Sequence, residues 1–186
     1  MNAMELLSSR RSVGKLVEPA PDQATLDRVL DAALRAPDHG ALRPWRVVLI
    51  RGDARRALGD LFAETLARHK PDATPEELDD ARRKAARSPL VIAVACVVGS
   101  TAKIPEVEQL LSAGAVMHGL LLGFQAEGFG AVWKTGKNAY DPAVKARFGL
   151  RPTDHLVGFL YVGSVGVEPP AVPRPTRANH VVEWKG

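Results

Sequence analysis

Three short stretches carry residue types that could do chemistry. The first is Leu6 to Leu16, LLSSRRSVGKL, where Arg10, Arg11 and Ser12 come after a short apolar run. At a helix C-terminus the two arginines complement the helix dipole, an effect of ~0.3–1 kcal/mol. The same residues suit a phosphate clamp, in which guanidinium groups and a hydroxyl donate charge-assisted hydrogen bonds. The second stretch is Arg35 to Trp45, RAPDHGALRPW, a loop bracketed by Pro37 and Pro44 just ahead of a strand. Loops at strand ends often carry function. The plainer readings are a core plug for Trp45, a surface position for His39 and a turn cap for Asp38. The third is Gly128 to Gly136, GFGAVWKTG. Gly128 can end a helix, and Gly130 either admits a ligand close to the backbone or simply turns the chain into a strand.

Other chemistries find little footing. GFGAVWKTG matches neither a dinucleotide fingerprint nor a phosphate loop. The five histidines, His39, His69, His118, His155 and His180, lack H-x-x-x-H or H-E-x-x-H spacing, so no metal site is expected. No G-x-S-x-G elbow occurs. The one cysteine, Cys96, lies within PLVIAVACVVG and reads as a buried, inert thiol that permits no internal disulfide.

The elements that must position these stretches can be read from apolar spacing. NAMELLSSR reads as a short helix. Asp22 to Ala36 reads as a helix with Leu26, Val29, Leu30, Ala33 and Leu34 on one face, capped by Asp22 and stopped by Pro37. RVVLIRG is a strand ended by Gly52. Leu58, Leu61, Phe62 and Leu66 mark another helix. Thr74-Pro75-Glu76-Glu77 opens a charged one running to about Arg87. PLVIAVACVVG is apolar throughout and suits a strand covered on both faces. Glu106 to Glu127 is the longest helix, and its centre, LLSAGAVMHGLLLGF, is apolar nearly all round. Such a helix is buried on every side, which a 20 kDa chain achieves most easily with a second subunit. FGAVWKTG and HLVGFLYVGSVG are strands, with a short helix from Asp141 to Phe148 between them. The proline-rich tail EPPAVPRPTRANHVVEW reads as an arm ending in a short strand, VVEW. Helices outweigh strands and alternate with them imperfectly, which predicts an α+β fold with a sheet packed against helices.

Bulk properties agree. The 186 residues suit one domain, 1–186, with an arm from about 167 to 186. Hydrophobic content of 46% and charged content of 25% are those of an ordinary globular chain. The net charge of +4, from 25 basic and 21 acidic residues, suits an anionic small molecule. The positive residues are interspersed with acids and aromatics are few, which argues against nucleic acid. No signal peptide is visible, and the apolar run Leu110 to Phe124 is shorter than the ~20 residues that span a bilayer. The expectation is a cytoplasmic protein without a membrane segment.

Taken in order, RRSVGKL, LRAPDHGALRPWRVVLI and GFGAVWKTG resemble the nitroreductase family of FMN-dependent oxidoreductases over essentially the whole chain. The short length and APDH are similar to its minimal YdjA-like branch. The resemblance implies a sandwich with a central, mostly antiparallel sheet flanked by helices, and a homodimer that exchanges its C-terminal arms. It implies FMN at the subunit interface, NADH or NADPH as reductant, and a small electron acceptor such as a nitroaromatic or quinone, served in turn at one flavin face. No catalytic side chain is implied, because flavin N5 carries the chemistry.

Residues carry over by motif. The resemblance implies FMN contacts from Arg10, Arg11 and Ser12, from Arg35 and His39 of either chain, from Trp133, Lys134 and Thr135, and from Arg174. It links Gly123, Phe124, Gln125, Ala126, Glu127 and Gly128 to nicotinamide-cofactor binding. The sequence departs from the family at one place: Ala41 and Arg43 occupy positions where many members carry asparagine and glutamine. Two alternatives stay open. One is a specialised flavin enzyme of the same fold, performing dehalogenation, desaturation or flavin cleavage. The other is a non-catalytic, basic, dimeric binding module.

Overall fold

In the computed structural model, which describes residues 2–99 and 103–186, two long strands make the centre. β3 (Leu90–Cys96) pairs with β5 (His155–Val165), and β2 (Trp45–Arg51) lies outside β3. β4 (Gly130–Lys134) also pairs with β5, with Trp133 opposite Leu160, and the two-residue β1 (Leu16–Val17) pairs with its last residues. Every pairing is antiparallel. β3 shows why PLVIAVAC has no polar position. Leu90, Ile92 and Val94 enter one core while Val91, Ala93 and Ala95 enter the other, the two-residue alternation of a strand.

Each sheet face has its own helices. α2 (Gln23–Ala33) and α5 (Glu106–Ala126) cover one face through Leu26, Val29, Val116, Met117, Leu120 and Phe124. α3 (Asp53–His69) covers the other with Leu58, Leu61 and Phe62, joined by Val144 of α7 (Pro142–Arg147). The remaining helices are α1 (Ala3–Ser9), α4 (Pro75–Arg83) and α6 (Lys137–Tyr140). Capping agrees with the sequence signals. The Asp22 carboxylate accepts from the Thr25 N–H, Thr74 and Glu77 close a capping box, and Asp141 caps α7.

Five expectations need correction. α2 ends at Ala33, three residues before Ala36, because the Leu34 N–H already turns back to the Leu30 and Ala32 carbonyls. α4 stops at Arg83 and continues only as a 3-10 turn over Lys84–Ala86. The tail residues VVEW form no strand, since a strand needs a ladder partner and the arm lies exposed, with only the 3-10 turn Arg177–Asn179. α5 has 21 residues, so by length and composition it could cross a bilayer. Length does not separate this helix from a membrane span; packing does: Val116, Met117, Leu120 and Phe124 are 0% exposed against the sheet. Nor is α5 buried all round, because Val107 and Leu111 are exposed, as are Met4 and Leu7 of α1.

One buried carboxylate ties loops together. Asp154 accepts from the Val98 N–H, the Arg151 N–H and the Arg151 guanidinium at 2.7–3.1 Å. Arg151 outweighs the burial that opposes charge, and holds the Asp154 pKa down at about 2.

Candidate active site

Val13 fixes the place of Arg10 and Ser12. Its N–H donates to the Ala131 carbonyl at 3.0 Å, which lays the opening stretch along β4. Gly130 permits this. A side chain there would come within 2.8 Å of Leu16 and 3.0 Å of Val13, so the glycine makes room for its own chain rather than for a ligand. On the other side Gln125 of α5 accepts from the Arg11 N–H at 3.3 Å and donates to Ser9 Oγ at 2.9 Å. The C-terminus of α1 is thus pinned between β4 and α5.

The result is an open hollow of about 400 Å³ lined by Arg10, Ser12, His118, Leu121, Trp133 and Thr135. The Trp133 indole donates from Nε1 to the Val157 carbonyl at 3.1 Å and stays 37% exposed. It lies over Gly158, where a Cβ would stand 2.4 Å from Nε1, so only glycine leaves space for the ring. His118 escaped the sequence reading. The one signal was an imidazole within the apolar run VMHGLL, on the helix face turned from the sheet.

The other expected site residues are spread more widely. Arg174 donates to the Arg10 carbonyl at 3.1 Å and so joins the cluster. The Arg11 guanidinium turns away and donates to the Pro169 carbonyl at 3.0 Å, tethering the start of the arm. Thr135 borders both this hollow and a larger cavity on the opposite face of β4, which Lys134 also lines. Arg35 is exposed and lines neither space. His39 lines neither as well, and its Nδ1 lies 2.5 Å from Glu108 Oε2. Its loop is strained: Ala41 and Arg43 have φ of 54° and 49°, and the Asp38 carboxylate accepts from the Arg43 N–H at 2.6 Å.

The segment Gly123 to Gly128 mostly serves the fold. Phe124 is in the core, a Cβ on Gly123 would press Val29 at 2.8 Å, and Glu127 pairs with Arg28 at 2.6 Å. The nicotinamide role implied for these residues gains no support from this placement. Cys96 is fully buried, and desolvation, helped by Asp154 and Glu106, pushes its thiol up to about 11, which keeps it protonated and unreactive. Among the described residues no group of three or more His, Cys, Asp or Glu could hold a metal.

The hollow combines a cation, two hydroxyls, an imidazole and a half-open indole wall. That donor set can hold a phosphate at the Arg10 end and a planar ring along Trp133. Comparison with known proteins gives the same direction. The sequence pattern of the nitroreductase family matches residues 7–164. An Escherichia coli K12 protein named as a candidate NAD(P)H nitroreductase, YdjA, is 36% identical over 180 residues, covering 95% of this chain and 97% of its own. The crystal structure of a nitroreductase-like family protein from Bacillus cereus superposes with a TM-score of 0.86 at 24% identity, covering 100% and 97% of the two chains. That of NfnB from Sphigopyxis sp. strain HMH, described as an FMN and NADPH-dependent nitroreductase, gives 0.75 at 21% identity with full coverage of both. With pattern, sequence identity and fold in agreement over nearly its whole length, the chain belongs to the nitroreductase family.

Proposed function

We propose that this protein is an FMN-dependent oxidoreductase that carries electrons from NADH or NADPH to a small electron-poor acceptor, such as a nitroaromatic or quinone. The observation that carries the reading is the hollow in which Arg10, Ser12 and Thr135 surround the half-open Trp133 indole. Arg10 and Ser12 bind the phosphate, and Arg174, held at the Arg10 carbonyl, brings a second cation. Trp133 and Thr135 orient the ring, and Leu121 keeps water from its edge. When bound, FMN supplies the redox chemistry, a hydride in and two electrons out. For a nitroaromatic the first step balances as R–NO2 + NAD(P)H + H⁺ → R–NO + NAD(P)⁺ + H2O.

The reading includes a homodimer. Met4 and Leu7 of α1, Val107 and Leu111 of α5, and Val181, Val182 and Trp184 of the arm are all exposed apolar side chains. A second copy would cover such residues. Arg35 and His39, which lie away from the hollow of their own chain, then serve the hollow of the other subunit. The name of YdjA and the description of NfnB support the cofactor and reductant assigned here.

Purified protein should show a flavin spectrum that NADH or NADPH bleaches in the absence of oxygen. If reductant and acceptor use one place in turn, double-reciprocal plots at several acceptor concentrations are parallel. Intersecting lines refute the shared place, and protein that takes up no FMN refutes the function.

A further inference from the structure

The larger cavity, about 650 Å³, lies between α3, the Lys84–Ala86 turn and the β4–α6 connection. Its size falls in the ~300–1,000 Å³ range of small-molecule sites. Phe62, Leu66, Val132 and Phe159 give it an apolar floor, and Phe62 meets Phe159 edge to face with centroids 5.2 Å apart. Lys15, Lys84, Arg87, Lys134 and Lys137 line its walls, and no aspartate or glutamate does. None of these five cations has an ion-pair partner among the described residues. His69, also on the wall, is held by buried Asp141 at 2.8 Å.

Tyr161 adds an independent observation. It is 5% exposed, lines the cavity, and its hydroxyl has no hydrogen-bond partner among the described residues, although that oxygen is not sealed from solvent. Arg87 stands near enough for its charge to act on that hydroxyl. An aromatic guest without a hydrogen-bond acceptor would leave this donor unsatisfied, at a cost of ~1–3 kcal/mol. A guest with an acid group would satisfy it and meet a cation as well.

We propose that this cavity binds a planar aromatic acid, its ring on Phe62, Val132 and Phe159 and its acid group on the Tyr161 hydroxyl and Arg87. Because Thr135 borders both spaces, the bound acid lies beside the Arg10–Ser12 hollow, across β4. The binding of this acid does not rest on the function proposed above, whose acceptor uses the hollow.

The probes are 4-nitrobenzoate and 4-nitrobenzamide, which share a ring and a nitro group and differ in charge. Titration calorimetry on the protein as purified should show the acid binding at least about tenfold more tightly than the amide. Arg87→Gln should remove most of that difference and leave amide binding unchanged, Tyr161→Phe should weaken acid and amide alike, and both variants should keep the flavin content of the wild type. Tyr161→Phe deletes only an unpartnered hydroxyl, so its melting temperature should match the wild type. Equal affinity for acid and amide overturns the proposal. So does loss of flavin from Tyr161→Phe or Arg87→Gln, because the cavity would then be part of the flavin seat. A protein that binds no FMN but still prefers the acid keeps this proposal and loses the oxidoreductase reading.

Discussion

Arg10 and Arg11 are neighbours of the same type, yet the structure gives them different work, and single substitutions separate the two. In Arg10→Ala the carbonyl that holds Arg174 remains, so only the guanidinium facing the hollow is lost. A hydrogen bond to a charged group contributes ~1.5–3 kcal/mol. At ~1.4 kcal/mol per factor of ten, FMN should bind ~10- to 150-fold more weakly. Arg11 spends its guanidinium on the Pro169 carbonyl, so Arg11→Ala should change FMN affinity by less than about threefold, within the spread of exposed contacts. What it should change is the arm, seen as faster proteolysis after residue 167. The assay is quenching of flavin fluorescence as FMN is titrated into protein stripped of cofactor. Equal losses for the two variants, or a larger loss for Arg11→Ala, would refute the division of labour.

Asp154 should give the protein a recognisable acid response. Its pKa falls from 3.8 to about 2 on folding, which at ~1.36 kcal/mol per pH unit is worth about 2 kcal/mol. Because the folded value is depressed, this stability is present above pH ~4–5 and lost as pH falls toward 2. Urea unfolding should show the gap between wild type and Asp154→Asn closing by about 2 kcal/mol between pH 6 and pH 2, whereas a constant gap would contradict the assignment. Deleting Arg177–Gly186 should weaken the homodimer, because it removes Val181, Val182 and Trp184 while leaving the Pro169 and Arg174 tethers. Sedimentation at micromolar concentration should then show monomer, and an unchanged dimer would exclude the arm from the interface.

Much of the fold was legible because its signals are local. The caps at Asp22 and Thr74 act within three residues, and the run Leu90 to Cys96 needs no partner to announce a strand covered on both faces. The ordered motifs from Arg10 to Thr135 identified the family for the same reason: residue types and spacing survive without coordinates. What the chain alone left undecided are contacts between residues far apart along it. Whether Arg11 faces a ligand or Pro169 depends on where residue 169 returns. Gly130 spoke equally for a ligand and for Val13 and Leu16, since a missing Cβ does not say what fills the space. His118 joined the hollow only once α5 lay beside β4. The cavity around Tyr161 is assembled from five separate segments, and its cations, scattered among acids along the sequence, become an unpaired set only where folding brings Lys15, Lys84, Arg87, Lys134 and Lys137 to one wall. Periodicity is a property of neighbours in sequence, whereas a binding site is a property of neighbours in space, and only packing of the helices on the sheet converts one into the other.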